Sequence, residues 1–151
     1  MKRSVETSTL IHQRAQQIVP ERIQKIRKAI QDRNFELFAR LTMEDSNQMH
    51  AICLDTYPPC VYMNQISHQI VRLVHQINKH SSQIKVCYTF DAGPNACLYL
   101  EEENLALVAG LINHFFPQAL DQVDDYFRGE VVKLEQPSKV RFRKVSDKVQ
   151  T

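Results

Sequence analysis

Two stretches of this chain place chemically able side chains at a usable spacing. The first is Thr89-Phe90-Asp91-Ala92-Gly93-Pro94-Asn95-Ala96. The alternating run Ile84 to Phe90 leads into it, and alternation puts Asp91 on the side of Lys85, Cys87 and Thr89, opposite Ile84, Val86, Tyr88 and Phe90. The carboxylate then sits where a strand gives way to a turn that Pro94 stiffens, with Gly93 allowing close backbone approach or positive φ. A carboxylate fixed at such a tip can take a proton from a substrate hydroxyl. The same residue can instead bond its own turn as an Asx motif, which from pattern alone is the commoner case.

The second stretch is Asp45-Ser46-Asn47-Gln48-Met49-His50, followed by Leu54-Asp55-Thr56-Tyr57-Pro58-Pro59. Ser46, Asn47 and His50 share one face at helical spacing, either toward a ligand or toward solvent. By itself the pattern favours the solvated reading, with His50 a satisfied histidine rather than a base. His68 and His75, seven apart, share a face of a later helix, but no carboxylate accompanies them and no metal site is indicated. The four cysteines, Cys53, Cys60, Cys87 and Cys97, lack CxxC spacing and read as reduced core thiols. With only Gly93, Gly110 and Gly129, the chain has no glycine-rich loop to wrap a triphosphate, so no nucleotide site is expected within it.

These residues need elements to hold them. Residues 8–19 carry Leu10, Ile11, Ala15, Ile18 and Val19 on one stripe, and Pro20 is expected to break that helix and open a second with Ile23, Ile26 and Ile30 inward. Arg33-Asn34 ends it. A third helix starts at Phe35 and must stop at Pro58-Pro59. A fourth spans about Asn64 to Lys79 with Ile66, Ile70, Val74 and Ile77 inward. A hairpin comes next, 84–90 paired with 96–100. Glu101-Glu102-Glu103 then open a helix that buries Leu105, Val108, Ile112 and Phe115 and ends at Pro117. Val131–Leu134 and Val140–Val145 are candidate strands. The result is a helix-rich α+β domain, and two strands make a poor sheet, so the sheet is expected to be incomplete here.

Composition agrees with one ordinary domain: 151 residues, 43% hydrophobic, 24% charged, formal net charge +2. No run is long enough to span a membrane, and no apolar stretch follows Met1-Lys2-Arg3 as in a secretory signal. Residues 1–40 carry nine Lys/Arg against four Asp/Glu, yet the basic faces lack interleaved aromatics. Solvated helix faces are therefore the reading, and a nucleic-acid partner is not indicated.

The run from Leu41 through Asp45-Ser46-Asn47-Gln48-Met49-His50-Ala51, then Cys53-Leu54-Asp55-Thr56-Tyr57-Pro58-Pro59, resembles a signature of the diphosphomevalonate decarboxylases. So does Lys85-Val86 through Tyr88-Thr89-Phe90-Asp91-Ala92-Gly93-Pro94-Asn95-Ala96. The resemblance continues in order and without evident gaps from Met1 to about Pro117. It implies the C-terminal domain of a GHMP-superfamily enzyme, helices packed on a small antiparallel sheet, over residues 1–127, with 128–151 a divergent, loosely ordered tail. It also implies a lyase that uses ATP and Mg²⁺ to phosphorylate the tertiary hydroxyl of diphosphomevalonate. Loss of phosphate and CO₂ then gives isopentenyl diphosphate for isoprenoid and sterol synthesis. By that resemblance Asp91 matches the family's catalytic aspartate, Ala92 is expected against the substrate, Met1 falls on the segment that approaches the diphosphate, and Ser46 and Asn47 are candidate cleft-lining residues. A cytoplasmic homodimer is the expected setting.

The family's ATP-binding half has no counterpart in this sequence. The chain is accordingly read as a C-terminal piece of the parent enzyme, inactive alone. The alternative is a non-catalytic short isoform that binds another protein, for example the full-length subunit.

Overall fold

The structure, a computed structural model, describes residues 2–117. Met1, the tail 128–151 and the candidate strands at 131–134 and 140–145 lie outside the described residues. The chain divides after Val108 into two compact units, 1–108 and 109–151.

The first unit opens with a short helix that composition did not announce, α1 (Lys2–Thr7). Hydroxyls dock it on residues 56 and 57: Thr56 Oγ1 donates to Ser4 Oγ (3.0 Å), and Thr7 Oγ1 accepts the Tyr57 N–H (2.9 Å). Next come α2 (Leu10–Gln13), a π-helical turn (Arg14–Ile18) and α3 (Val19–Gln31). The expected break at Pro20 does not occur. The Val19 N–H reaches back to the carbonyl of Arg14, and this wider turn carries the helical path into Pro20, which sits in the first turn of α3, where a missing N–H is harmless.

α3 buries Ala29 and directs Arg22 and Ile26 inward, while Ile23 and Ile30 stay exposed, contrary to expectation. Isoleucine spacing located the stripe only to within one residue of rotation. Arg33, at φ 50°, ends α3: its N–H bonds to the Ile30 carbonyl and that of Asn34 to Ala29. Asn34 then caps α4 (Phe35–Asp55), its Oδ1 accepting the Leu37 N–H at 2.9 Å.

α4 is the central element, packed against α3 and against the first strand. It stops at Thr56, before the cis Tyr57–Pro58 bond. α5 (Gln65–Lys79) starts in a capping box between Asn64 and Ser67 and buries Val74 and Ile77, but Ile66 is exposed. Asn78 at its far end grips the incoming strand, giving its Nδ2–H to the Val86 carbonyl and accepting the Lys85 and Val86 N–H groups on Oδ1.

The sheet is the antiparallel hairpin β1 (Val86–Thr89) and β2 (Cys97–Leu100), in the register Val86↔Leu100 to Thr89↔Cys97. Both faces of β1 are covered: Val86, Cys87 and Tyr88 are fully buried, and Phe90 just beyond nearly so. The core is these residues with Val74 and the inner side of α4, each large side chain contributing about 1.5–3 kcal/mol. Cys87 alone of the four cysteines is buried; Cys97 is exposed, so the reading of all four as core thiols is corrected. After a 3-10 turn (Glu102–Asn104), α6 begins at Leu105 rather than at the glutamates, and buries Val108. In the second unit, α6 continues to Phe115, whose ring is exposed rather than buried as expected.

Candidate active site

The polar stretch of α4 serves two sides, because residues 100° apart on a helix cannot all face one way. Ser46, Asn47 and His50 meet the hairpin. The Phe90 N–H donates to Ser46 Oγ at 2.9 Å, and His50 Nε2 lies 3.3 Å from the Phe90 carbonyl oxygen, donating in its Nε2–H tautomer. The His50 ring also meets Phe90 and Tyr62 edge-on. Asn47 Oδ1 accepts from the Tyr88 hydroxyl at 3.0 Å, and His75 Nε2 stands 3.2 Å from that same oxygen. Burial pushes the Tyr88 phenol up, and the Asn47 bond offsets only part of this, so the phenol stays protonated and donating.

Asp45 and Gln48 turn the other way. Asp45 Oδ1 takes Arg14 at 2.8 Å and Arg22 at 2.7 Å, and Gln48 Oε1 accepts from both guanidiniums. These arginines are mostly covered, with side-chain exposures of 16% and 17%. The reading of the basic N-terminal stretch as wholly solvated therefore fails for Arg14 and Arg22. Asp45 and Gln48 stand three apart and could have signalled a partner helix, but sequence alone does not say which arginines come.

Beyond β1 the chain runs through Asp91 to Asn95. Its far end is held by α5: Ser67 Oγ donates to the Pro94 carbonyl at 2.8 Å while accepting the Asn64 N–H. Between these two anchors Asp91 and Ala92 are exposed. The Asp91 backbone carbonyl accepts the Gly93 N–H at 2.8 Å, but its carboxylate has no hydrogen-bond donor among the described residues. The Asx arrangement is thus absent among the described residues. Gly93 lies outside the left-handed region, and a Cβ built on it would meet nothing within 4 Å. Neither backbone strain nor crowding accounts for glycine there; the space beside it is open.

Of the sequence-derived candidates, Asp91 and Ala92 come together at the exposed tip. Ser46 is buried with its hydroxyl on Phe90, and Asn47 has its carbonyl oxygen on Tyr88. His50, read as a satisfied histidine, has a partner in the Phe90 carbonyl. Sequence reasoning misses Asn64 and Ser67, although Asn-x-x-Ser before an apolar helix is a capping signal.

A helix-rich domain with a small antiparallel hairpin is the form of a GHMP-type C-terminal domain. The family model for the mevalonate 5-diphosphate decarboxylase C-terminal domain matches residues 1–151, and the chain belongs to that family. The diphosphomevalonate decarboxylase of Rattus norvegicus is 49% identical over 129 residues, covering 85% of this chain and 32% of the relative. A crystal structure of mevalonate 5-diphosphate decarboxylase superposes with TM-score 0.75 at 42% identity, over 85% of this chain and 32% of that one. The mevalonate diphosphate decarboxylase from Enterococcus faecalis, described by a mevalonate diphosphate-mediated ATP binding mechanism, matches with TM-score 0.71 at 26% identity, over 78% of this chain and 36% of its own. The chain spans about a third of the length of the curated relatives it matches.

Proposed function

We infer that this chain supplies the hydroxyl-activating aspartate of an ATP-dependent decarboxylase that converts diphosphomevalonate to isopentenyl diphosphate. One observation carries the reading. Asp91 stands exposed at a hairpin tip, its carboxylate has no donor among the described residues, and the backbone on both sides is anchored. Asp91 orients the tertiary hydroxyl of the substrate and takes its proton as phosphoryl transfer proceeds; such reactions depend on positioning and charge stabilisation more than on covalent chemistry. Ala92 lines the substrate beside it.

ATP is the phosphoryl donor in this reading, with Mg²⁺ as its counter-ion. The part of the reaction assigned to this chain is the hydroxyl end, where Asp91 stands. A cytoplasmic homodimer working in sterol synthesis belongs to the same proposal and rests on the family resemblance.

The test is Asp91→Asn in the active enzyme that contains this chain, followed by ATP-dependent CO₂ release. Turnover should fall by about 10²–10⁴-fold with substrate affinity kept. Turnover near that of the parent would end the assignment.

A further inference from the structure

We propose that Ser46 and His50 are positioning residues, which set the reactive geometry of Asp91 through the backbone of Phe90. The proposal rests on the reading of Asp91 given above.

The Asp91 carboxylate has no hydrogen bond to hold it among the described residues, so its place is decided by the backbone that carries it. The residue directly before it is gripped at both polar groups: the Phe90 N–H by Ser46 Oγ at 2.9 Å, and the Phe90 carbonyl by His50 Nε2 at 3.3 Å. The Phe90 carbonyl oxygen belongs to the peptide bond that enters Asp91, so a rotation of that peptide moves the carboxylate directly. Ser46 and His50 lie four apart, one turn, in the middle of the 21-residue α4, and reach a residue 44 and 40 positions away in the chain.

The grip therefore comes from a rigid helix, not from the loop itself. The Phe90 ring is buried, so its position is fixed by packing and the two side chains have only the peptide orientation left to settle. Ser67 on the Pro94 carbonyl closes the other end. A group held in this way is pre-oriented, and a displacement of about 1 Å at the reacting atom can lower the rate by about 10²-fold.

The experiment uses the active enzyme that contains this chain, with kcat and KM measured well below its unfolding temperature. Ser46→Ala and His50→Leu should each lower kcat by about 10- to 100-fold, with KM within about threefold of the parent. Ser46→Thr keeps the hydroxyl and His50→Gln keeps an N–H near the position of Nε2; both should recover most of the rate. If Ser46→Ala does not fold, His50→Leu against His50→Gln decides alone. Asp45→Asn, on the opposite side of the same turn, should lower stability and leave kcat unchanged. A normal kcat in Ser46→Ala and His50→Leu overturns the proposal, as does a loss that appears only in KM or that the conservative variants share. If Asp91→Asn is inactive while these variants are normal, the aspartate assignment survives and only the positioning role falls. If Asp91→Asn is active, the aspartate assignment itself falls.

Discussion

The hydroxyl of Ser46, at the middle of α4, accepts the backbone N–H of Phe90 at 2.9 Å, so that two residues 44 apart share one buried hydrogen bond directly before the exposed Asp91. Removing the hydroxyl leaves that N–H with no partner in a site water does not reach. Ser46→Ala should destabilise the chain by about 1–3 kcal/mol, seen as a lower urea midpoint at an unchanged m-value. A midpoint equal to that of the parent would mean that the bond has no net worth.

The second relationship is the pair of arginines on one carboxylate oxygen. Asp45→Ala would leave Arg14 and Arg22, both mostly covered, facing each other without a counter-charge. Since Asp45 is itself 43% exposed, solvent screens part of the interaction, and a loss of about 1–2 kcal/mol is expected. Repulsion between the two guanidiniums should make the variant recover part of its stability as salt is raised. A deficit that ignores ionic strength would point to packing instead.

Asp55 ties the end of α4 to the start of α2. The Ser8 hydroxyl at 2.7 Å, and then the Leu10 N–H at 3.2 Å, hold its carboxyl below the usual carboxylate range. A carboxylate with a depressed folded pKa stabilises the fold fully above its unfolded pKa of about 3.9, and the contribution disappears as pH falls through the folded value. Asp55→Asn should therefore be less stable than the parent at pH 6, with the gap closing on acidification below about pH 4. Thermal melts of both proteins between pH 6 and pH 2.5 check this, and parallel curves would refute it.

Burial pushes the Cys87 thiol up to about 12, whereas Cys97, on the neighbouring strand, is exposed. Thiolate is the reactive form, so iodoacetamide at about pH 8 should label Cys97 in the native chain and reach Cys87 only after denaturation. Peptide mass mapping reads the order of labelling directly. Early alkylation of Cys87 would show that β1 opens far more readily than its burial implies.

The amino-acid sequence determined the elements themselves. The 3.6-residue spacing of Val74 and Ile77, the alternation through Val86, Tyr88 and Phe90, the Asn34 cap and the Pro58-Pro59 stop are local signals, each expressed within a few residues of where it acts. Asp91 stood out for the same reason, since a strand, an acid and a Gly-Pro turn are adjacent in the chain. Rotation about a helix axis was not local. Ile23, Ile30, Ile66 and Phe115 have the spacing of buried residues and are exposed, because neighbouring elements decide which flank of an apolar stripe is covered. The wider turn that carries Pro20 was hidden too, as its carbonyl acceptor lies five residues back. The division of the α4 polar stretch, with Asp45 and Gln48 toward the arginines and Ser46 and His50 toward Phe90, needs partners 23 to 44 residues distant. Only folding brings them into hydrogen-bond range, and that is why the tertiary structure, not the sequence, decided what holds the aspartate in place.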